Sequence, residues 1–318
     1  MTDLKDVIGG LSFIPVIVGP TASGKSDIAL KLAEAAGGEI VSCDSMQIYK
    51  GLDIGTAKPN KDEQGRVRHH MIDIIDPDQN YSVNEFYEDA NRCVGDIISR
   101  HKLPILCGGT GQYVSAMIKG INFGDEDGDK IDEVTDQLYS RFDSEGIDNI
   151  YEDLKRIDPQ AASKIHPNNT RRVIRAYAVY LATGRTFTQK NSESLQSGSR
   201  YPYKLFQPDL DRSTIYDRIN LRVDKMISSG LLKEAKWLYE TYPEHDTTAF
   251  QAIGYKELFP YITGEISLDR AIYDLKLNTR HYAKRQLTWF RYIPDITMID
   301  PGHGDIASEI MAHIQNGI

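Results

Sequence analysis

Apolar residues change their spacing several times along this chain, and each change marks an element. Residues 13–18 form a continuous apolar run, as in a strand buried on both faces. A glycine-rich stretch follows, and then Ile28, Ala29, Leu32 and Ala33 recur at helical spacing until Gly37-Gly38 ends them. Residues 39–43 repeat the buried-strand pattern. Strand, loop, helix and strand make a βαβ unit, in which ligands bind at the carboxyl ends of the strands. Further along, residues 69–77 read as a strand with a turn, and a helix starts at Ser82, with Glu85 three residues on as a capping box requires. Residues 103–107 read as a third buried strand, ending in Gly108-Gly109-Thr110-Gly111.

Beyond residue 123 the pattern turns helical, over 131–142 and 147–157, and the charge changes sign along it. Residues 124–136 hold seven acids (Asp125, Glu126, Asp127, Asp129, Asp132, Glu133, Asp136) against one base, Lys130. From His166 to Lys190 stand Arg171, Arg172, Arg175, Arg185 and Lys190, without any Asp or Glu. Residues 191–199, rich in Ser, Gly and Asn, read as a flexible loop. A strand resumes at 203–206. A helix over 213–229, stopped by Gly230, carries Arg218 and Arg222 four apart on one face, and a long helix over 267–292 carries the basic row Lys276, Arg280 and Lys284. The fold expected is α/β: a P-loop nucleotide-kinase-like parallel sheet core from residues 1–122 and 201–318, with a mostly helical insertion over 123–200.

Composition narrows the class. Apolar content of 40% and charged content of 26% in 318 residues are ordinary for a globular protein, and no apolar run approaches the roughly 20 residues of a membrane span. The N-terminus lacks a secretory pattern, and Cys43, Cys93 and Cys107 are scattered without metal or disulfide spacing, which points to the cytoplasm. A net charge of −9 opposes nucleic-acid binding by the chain as a whole, so any such site must be a local basic patch.

The chemistry centres on Gly19, Pro20, Thr21, Ala22, Ser23, Gly24, Lys25 and Ser26, which fit G-x-x-x-x-G-K-[ST] between a strand and a helix. The glycines let backbone N–H groups converge on phosphate oxygens, the lysine reaches the outer phosphates, the hydroxyl suits Mg²⁺, and the helix N-terminus adds positive charge. A kinase, an NTPase and a transferase with a diphosphate leaving group all need this cradle. Asp44, at the end of the second strand, belongs beside it.

Several further stretches, taken with the phosphate loop, carry a resemblance. They are residues 44–49 with 53–59, 81–83, Gly108-Gly109-Thr110, His166-Pro167-Asn168, 251–257 and 283–291. In order and spacing the set resembles the bacterial tRNA dimethylallyltransferases over almost the whole chain. The resemblance implies transfer of a dimethylallyl group from dimethylallyl diphosphate to N6 of the adenine just 3′ of the anticodon, with Mg²⁺. It implies Asp44 as general base, Lys25 and Arg222 on the diphosphate, Thr110 beside the bridging oxygen or the adenine, and Ser26 on the metal. It places Asp44, Ser45, Met46, Gln47 and Thr110 at the target adenine, Arg171, Arg172 and Arg175 on the tRNA backbone, and Gln251, Gly254 and Lys256 on the anticodon loop. The protein would be a monomer whose partners are the tRNA anticodon stem-loop and the allyl donor, with no membrane. From the residues alone, a prenyltransferase of free adenine nucleotides, a P-loop small-molecule kinase and a non-catalytic tRNA- or nucleotide-binding protein stay open.

Overall fold

Among the described residues six parallel strands assemble into one sheet, in the order His69–His70 (β3), Glu39–Ser42 (β2), Pro104–Gly108 (β4), Ile14–Val18 (β1), Tyr203–Pro208 (β5) and Thr297–Ile299 (β6). The computed structural model describes residues 12–120, 128–194, 198–302 and 306–316. The N-terminal stretch read for a secretory signal, and Asp125, Glu126 and Asp127, lie outside the described residues. The chain divides into two units, one from Met1–Ile118 with Tyr201–Ile318, the other from Lys119–Arg200.

In the first unit β1 (Ile14–Val18) leads through the phosphate loop into α1 (Lys25–Ala36), which ends at Gly37 in the left-handed conformation. Then come β2 (Glu39–Ser42), α2 (Lys61–Arg66), β3 (His69–His70), α3 (Val83–Ser99), β4 (Pro104–Gly108) and α4 (Gly111–Lys119). Strands β1, β2 and β4 are buried at every position. Alternate residues serve opposite faces: Val16, Val41 and Leu106 pack with Phe86, Val94 and Ile97 of α3, while Ile17, Ile40 and Ile105 pack with Ile28 and Leu32 of α1. The α3 start is the expected capping box, with Ser82 Oγ accepting from Glu85 N and Glu85 accepting from Ser82 N.

The expected strand over 69–77 stops after two residues. Met71 and Asp73 take positive φ (62° and 53°), which bends the chain out of the sheet, and Ile75 returns only for an isolated bridge to Tyr49. The second unit needs no sheet: α5 (Gly128–Glu145), α6 (Ile147–Ile157), α7 (Pro159–Lys164), α8 (Thr170–Thr183) and α9 (Phe187–Ser194) bury Ile131, Leu138, Ile150, Leu154, Val173 and Ile174. Residues 191–194, expected as loop, form the last turn of α9, and Arg185 reaches Glu193 of that turn at 2.9 Å. The first unit resumes with β5 (Tyr203–Pro208), α10 (Arg212–Ser228), α11 (Leu231–Thr241), the single turn α12 (Phe259–Ile262), the long α13 (Leu268–Arg291), β6 (Thr297–Ile299) and α14 (Ile306–Asn316). The basic row on α13 partly ties that helix to α10: Lys276 reaches Asp224 at 2.6 Å, and Arg280 donates to Asn220 Oδ1 at 2.8 Å.

Candidate active site

Sheet register sets the site. Val18 pairs with Gly108, and Ser42 with Cys107, so the phosphate loop, Asp44 and the Gly108-Thr110 turn leave the sheet side by side. This close approach requires glycine at 108, where a Cβ would lie 2.2 Å from the Cys43 carbonyl oxygen. In the loop, Gly19 (φ 144°) and Gly24 (φ 86°) take conformations that side chains resist. Ser23 Oγ is buried with no hydrogen-bond partner among the described residues. Lys25 opens α1, its ammonium donating to the Pro20 carbonyl at 3.3 Å. Burial pulls the Lys25 pKa below its ordinary value; the Cys107 thiol and Asp44 oppose this, and the Arg222 guanidinium adds to it. Arg222, on α10, is likewise lowered by burial, with the Asp44 carboxylate opposing.

Asp44 is held by an Asx turn, its Oδ1 accepting from Met46 N at 2.9 Å. Thr110 braces the same turn: Oγ1 accepts from Ser45 N at 3.0 Å and donates to Ser45 Oγ at 3.3 Å. The Gln47 amide is fixed at both ends, its Oε1 accepting from Ser42 Oγ at 2.9 Å and its Nε2 donating to the carbonyls of Thr56 (3.4 Å) and Ala57 (3.3 Å).

A cavity of about 300 Å³ in the first unit gathers most of the residues expected from the sequence. Thr21, Lys25, Ser26, Asp44, Ser45, Met46, Gln47, Arg222, Gln251, Gly254 and Lys256 line it. Gly19, Pro20, Ala22, Ser23 and Gly24 shape the loop without lining the cavity, and Thr110 stands behind Ser45. Arg171, Arg172 and Arg175 are exposed on α8 of the other unit, with Arg175 paired to Asp132 at 3.0 Å. Ser26 and Asp44 present oxygen donors to one cavity, which suits a hard cation shared with phosphate oxygens. Among the described residues no group of three or more His, Cys, Asp or Glu is placed to hold a metal, so such a cation would depend on its ligand's oxygens.

The residue roles drawn from the sequence missed one wall. Leu275, Thr279, Tyr282 and Gln286 fall on a single face of α13 and line the cavity. Gln286 joins the two glycine turns, its Oε1 accepting from Thr21 N at 2.8 Å and its Nε2 donating to the Gly109 carbonyl at 2.9 Å. Burial, with the Asp44 charge next, pushes the Tyr282 phenol up to about 12. His69 also lines the cavity; its Nδ1 lies 2.8 Å from the Val67 carbonyl, which can only accept, so that nitrogen carries the proton. The 3.6-residue period of the long helix holds the α13 signal, whereas His69 carried none beyond its place in a strand.

Similarity to known proteins agrees with this geometry. The family model for IPP transferase matches residues 47–292. The tRNA dimethylallyltransferase of Acetivibrio thermocellus is 44% identical over 94% of this chain and 95% of its own, and that of Bacillus mycoides is 44% identical over 95% and 94%. Among solved structures, the full-length tRNA isopentenylpyrophosphate transferase of Bacillus halodurans superposes with a TM-score of 0.70 at 41% identity, covering 96% of this chain and 97% of its own. A eukaryotic dimethylallyltransferase acting on tRNA superposes with a TM-score of 0.80 at 30% identity, over 95% of this chain and 78% of its own. Matched over most of its length by the family model and nearly end to end by these relatives, the chain belongs to the IPP transferase family, that of the tRNA dimethylallyltransferases.

Proposed function

We propose that this chain transfers a dimethylallyl group from dimethylallyl diphosphate to N6 of the adenine just 3′ of the anticodon in tRNA, releasing diphosphate. One observation carries the reading: Asp44, Lys25 and Arg222, a carboxylate and two desolvated cations, line the same cavity beside the phosphate loop. Breaking the allyl C–O bond leaves negative charge on diphosphate, and forming the N6–C bond makes the amine acidic. The two cations meet the first demand, more strongly in this desolvated setting than in water. Asp44, oriented through Met46 N, meets the second by taking the N6 proton. Ser26 would hold Mg²⁺, which when bound adds positive charge at the diphosphate. The buried, unpartnered Ser23 hydroxyl supports the loop as the place of an oxygen-rich ligand.

The adenine must leave its stack to meet Asp44, which an anticodon loop allows more cheaply than a duplex. Gln251, Gly254 and Lys256 would contact the anticodon loop, and the exposed Arg171, Arg172 and Arg175 the backbone. No helix among the described residues is long and apolar enough to cross a membrane. The reading extends to a cytoplasmic monomer.

The test is Asp44→Asn. The isosteric amide cannot accept the proton, so turnover should fall by about 10²–10⁴ with fold and tRNA affinity kept. Activity regained by raising Mg²⁺ would make Asp44 a metal residue instead.

A further inference from the structure

Glu234 stands on the first turn of α11, outside every motif described above, yet its carboxylate gathers four donors. The backbone N–H of Asp53 reaches Oε2 at 3.1 Å, that of Ile54 reaches Oε2 at 2.9 Å and Oε1 at 3.0 Å, and that of Gly55 reaches Oε1 at 2.9 Å. The Tyr255 hydroxyl donates to Oε1 at 2.6 Å. Successive amides converging in this way form an anion nest, occupied here by the protein's own side chain. Tyr255 is fully buried, and its ring fills the space a side chain at 55 would need: a Cβ on Gly55 would lie 2.5 Å from it. At Gly254, where φ is 110°, a Cβ would lie 3.6 Å from the Gly55 Cα, so the two glycine backbones run close together. Glu234 therefore staples residues 53–55 to Tyr255, joining two segments whose neighbours line the cavity: Gly55, Thr56 and Ala57 on one, Gln251 to Gly254 and Lys256 on the other.

The staple leads on to Gln47. The carbonyls of Thr56 and Ala57, directly after the nested amides, are the acceptors that orient the Gln47 amide. Lys58 anchors the same loop from beneath; its buried ammonium donates to Asp53 Oδ1 at 2.7 Å, Asp73 Oδ1 at 2.5 Å and the Tyr49 carbonyl at 2.8 Å. We propose that Glu234 is a positioning residue for nucleobase recognition: by holding the 53–55 amides and Tyr255, it sets the orientation in which Gln47 meets the target adenine. This rests on the functional reading above, together with the place at that base which the family resemblance gives Gln47.

Glu234→Gln tests it, because the amide keeps the size but turns an NH₂ toward donors it cannot accept from. The expected result is a rise of about tenfold in KM for tRNA, with kcat and the KM for the allyl donor within about threefold, as for loss of a charge-assisted contact acting in ground-state binding. In a Gln47→Ala background the same change should raise KM by less than about threefold, since the two residues act in series. Multiplying effects in the double variant, or an unchanged KM in Glu234→Gln, would overturn the inference. Amide exchange at residues 53–55 gives a readout free of substrate: it should quicken in Glu234→Gln, and unchanged exchange would overturn the staple. If Glu234→Gln does not fold, Tyr255→Phe removes one of the four donors and should show the same KM pattern at smaller size; an unchanged KM there would overturn the inference too. A wild-type protein inactive on tRNA would instead overturn the functional reading, and with it the nucleobase half of this inference, while exchange still decides the staple.

Discussion

Gln286→Leu removes the bridge between the phosphate loop and the Gly108-Thr110 turn while leaving a side chain of similar size. Gln286 is only 6% exposed, and its two amide ends serve Thr21 N and the Gly109 carbonyl. Leucine leaves both backbone groups without that partner, at about 1–3 kcal/mol for each buried group. Gly109 is buried and should incur the full cost, whereas Thr21 is half-buried at the cavity edge, where water can partly replace the lost acceptor. The sum is then about 3 kcal/mol. At about 2–4 °C per kcal/mol for a unit of this size, Tm should drop by roughly 6–12 °C in calorimetry. Diphosphate affinity, measured by titration calorimetry, should fall about tenfold as the loop loses its brace. A Tm within about 2 °C of wild type together with unchanged diphosphate affinity would refute the assignment of Gln286 as the brace.

Lys25→Ala should lower both diphosphate affinity and turnover, since its contact strengthens as charge develops on the leaving group. The same variant should also change how stability depends on pH. The folded pKa of Lys25 lies below its ordinary value, so between the two the unfolded chain binds more protons and wild-type stability rises with pH. The stability of the variant relative to wild type should therefore be highest below the folded pKa and fall as pH rises toward the ordinary lysine range, as urea unfolding at a series of pH values would show. Neutralising Arg171, Arg172 and Arg175 together should flatten the salt dependence of tRNA affinity by about two log units per log unit of salt, at roughly 0.7 per phosphate contact, with donor binding unchanged. Full retention of the salt slope would remove these arginines from the tRNA surface.

What the sequence made legible was local. The strand, phosphate loop and helix of β1 and α1, the Ser82-Glu85 capping box and the Ser267 start of α13 are each written within a few consecutive residues, and the structure follows them. Length was less legible. β3 is cut to two residues by positive φ at Met71 and Asp73, which no apolar pattern announces, and β6, at three residues, is too short to show a period. Long-range polar contacts were not legible at all. Gln286 meets Thr21 across 265 positions and Glu234 meets Ile54 across 180. Lys58, a lone charged residue between Ala57 and Pro59 in sequence, has a side chain only 2% exposed because Asp53, Asp73 and a carbonyl surround its ammonium. Such partners exist only once the sheet has brought the strand ends together.

The most direct test of allyl transfer to a tRNA adenine combines purified protein, dimethylallyl diphosphate, Mg²⁺ and unmodified tRNA, followed by mass analysis of the nucleosides. The expected product is N6-dimethylallyladenosine at the position just 3′ of the anticodon, formed far more slowly when AMP replaces the tRNA. Unmodified adenosine throughout, or equal prenylation of AMP, would contradict the account.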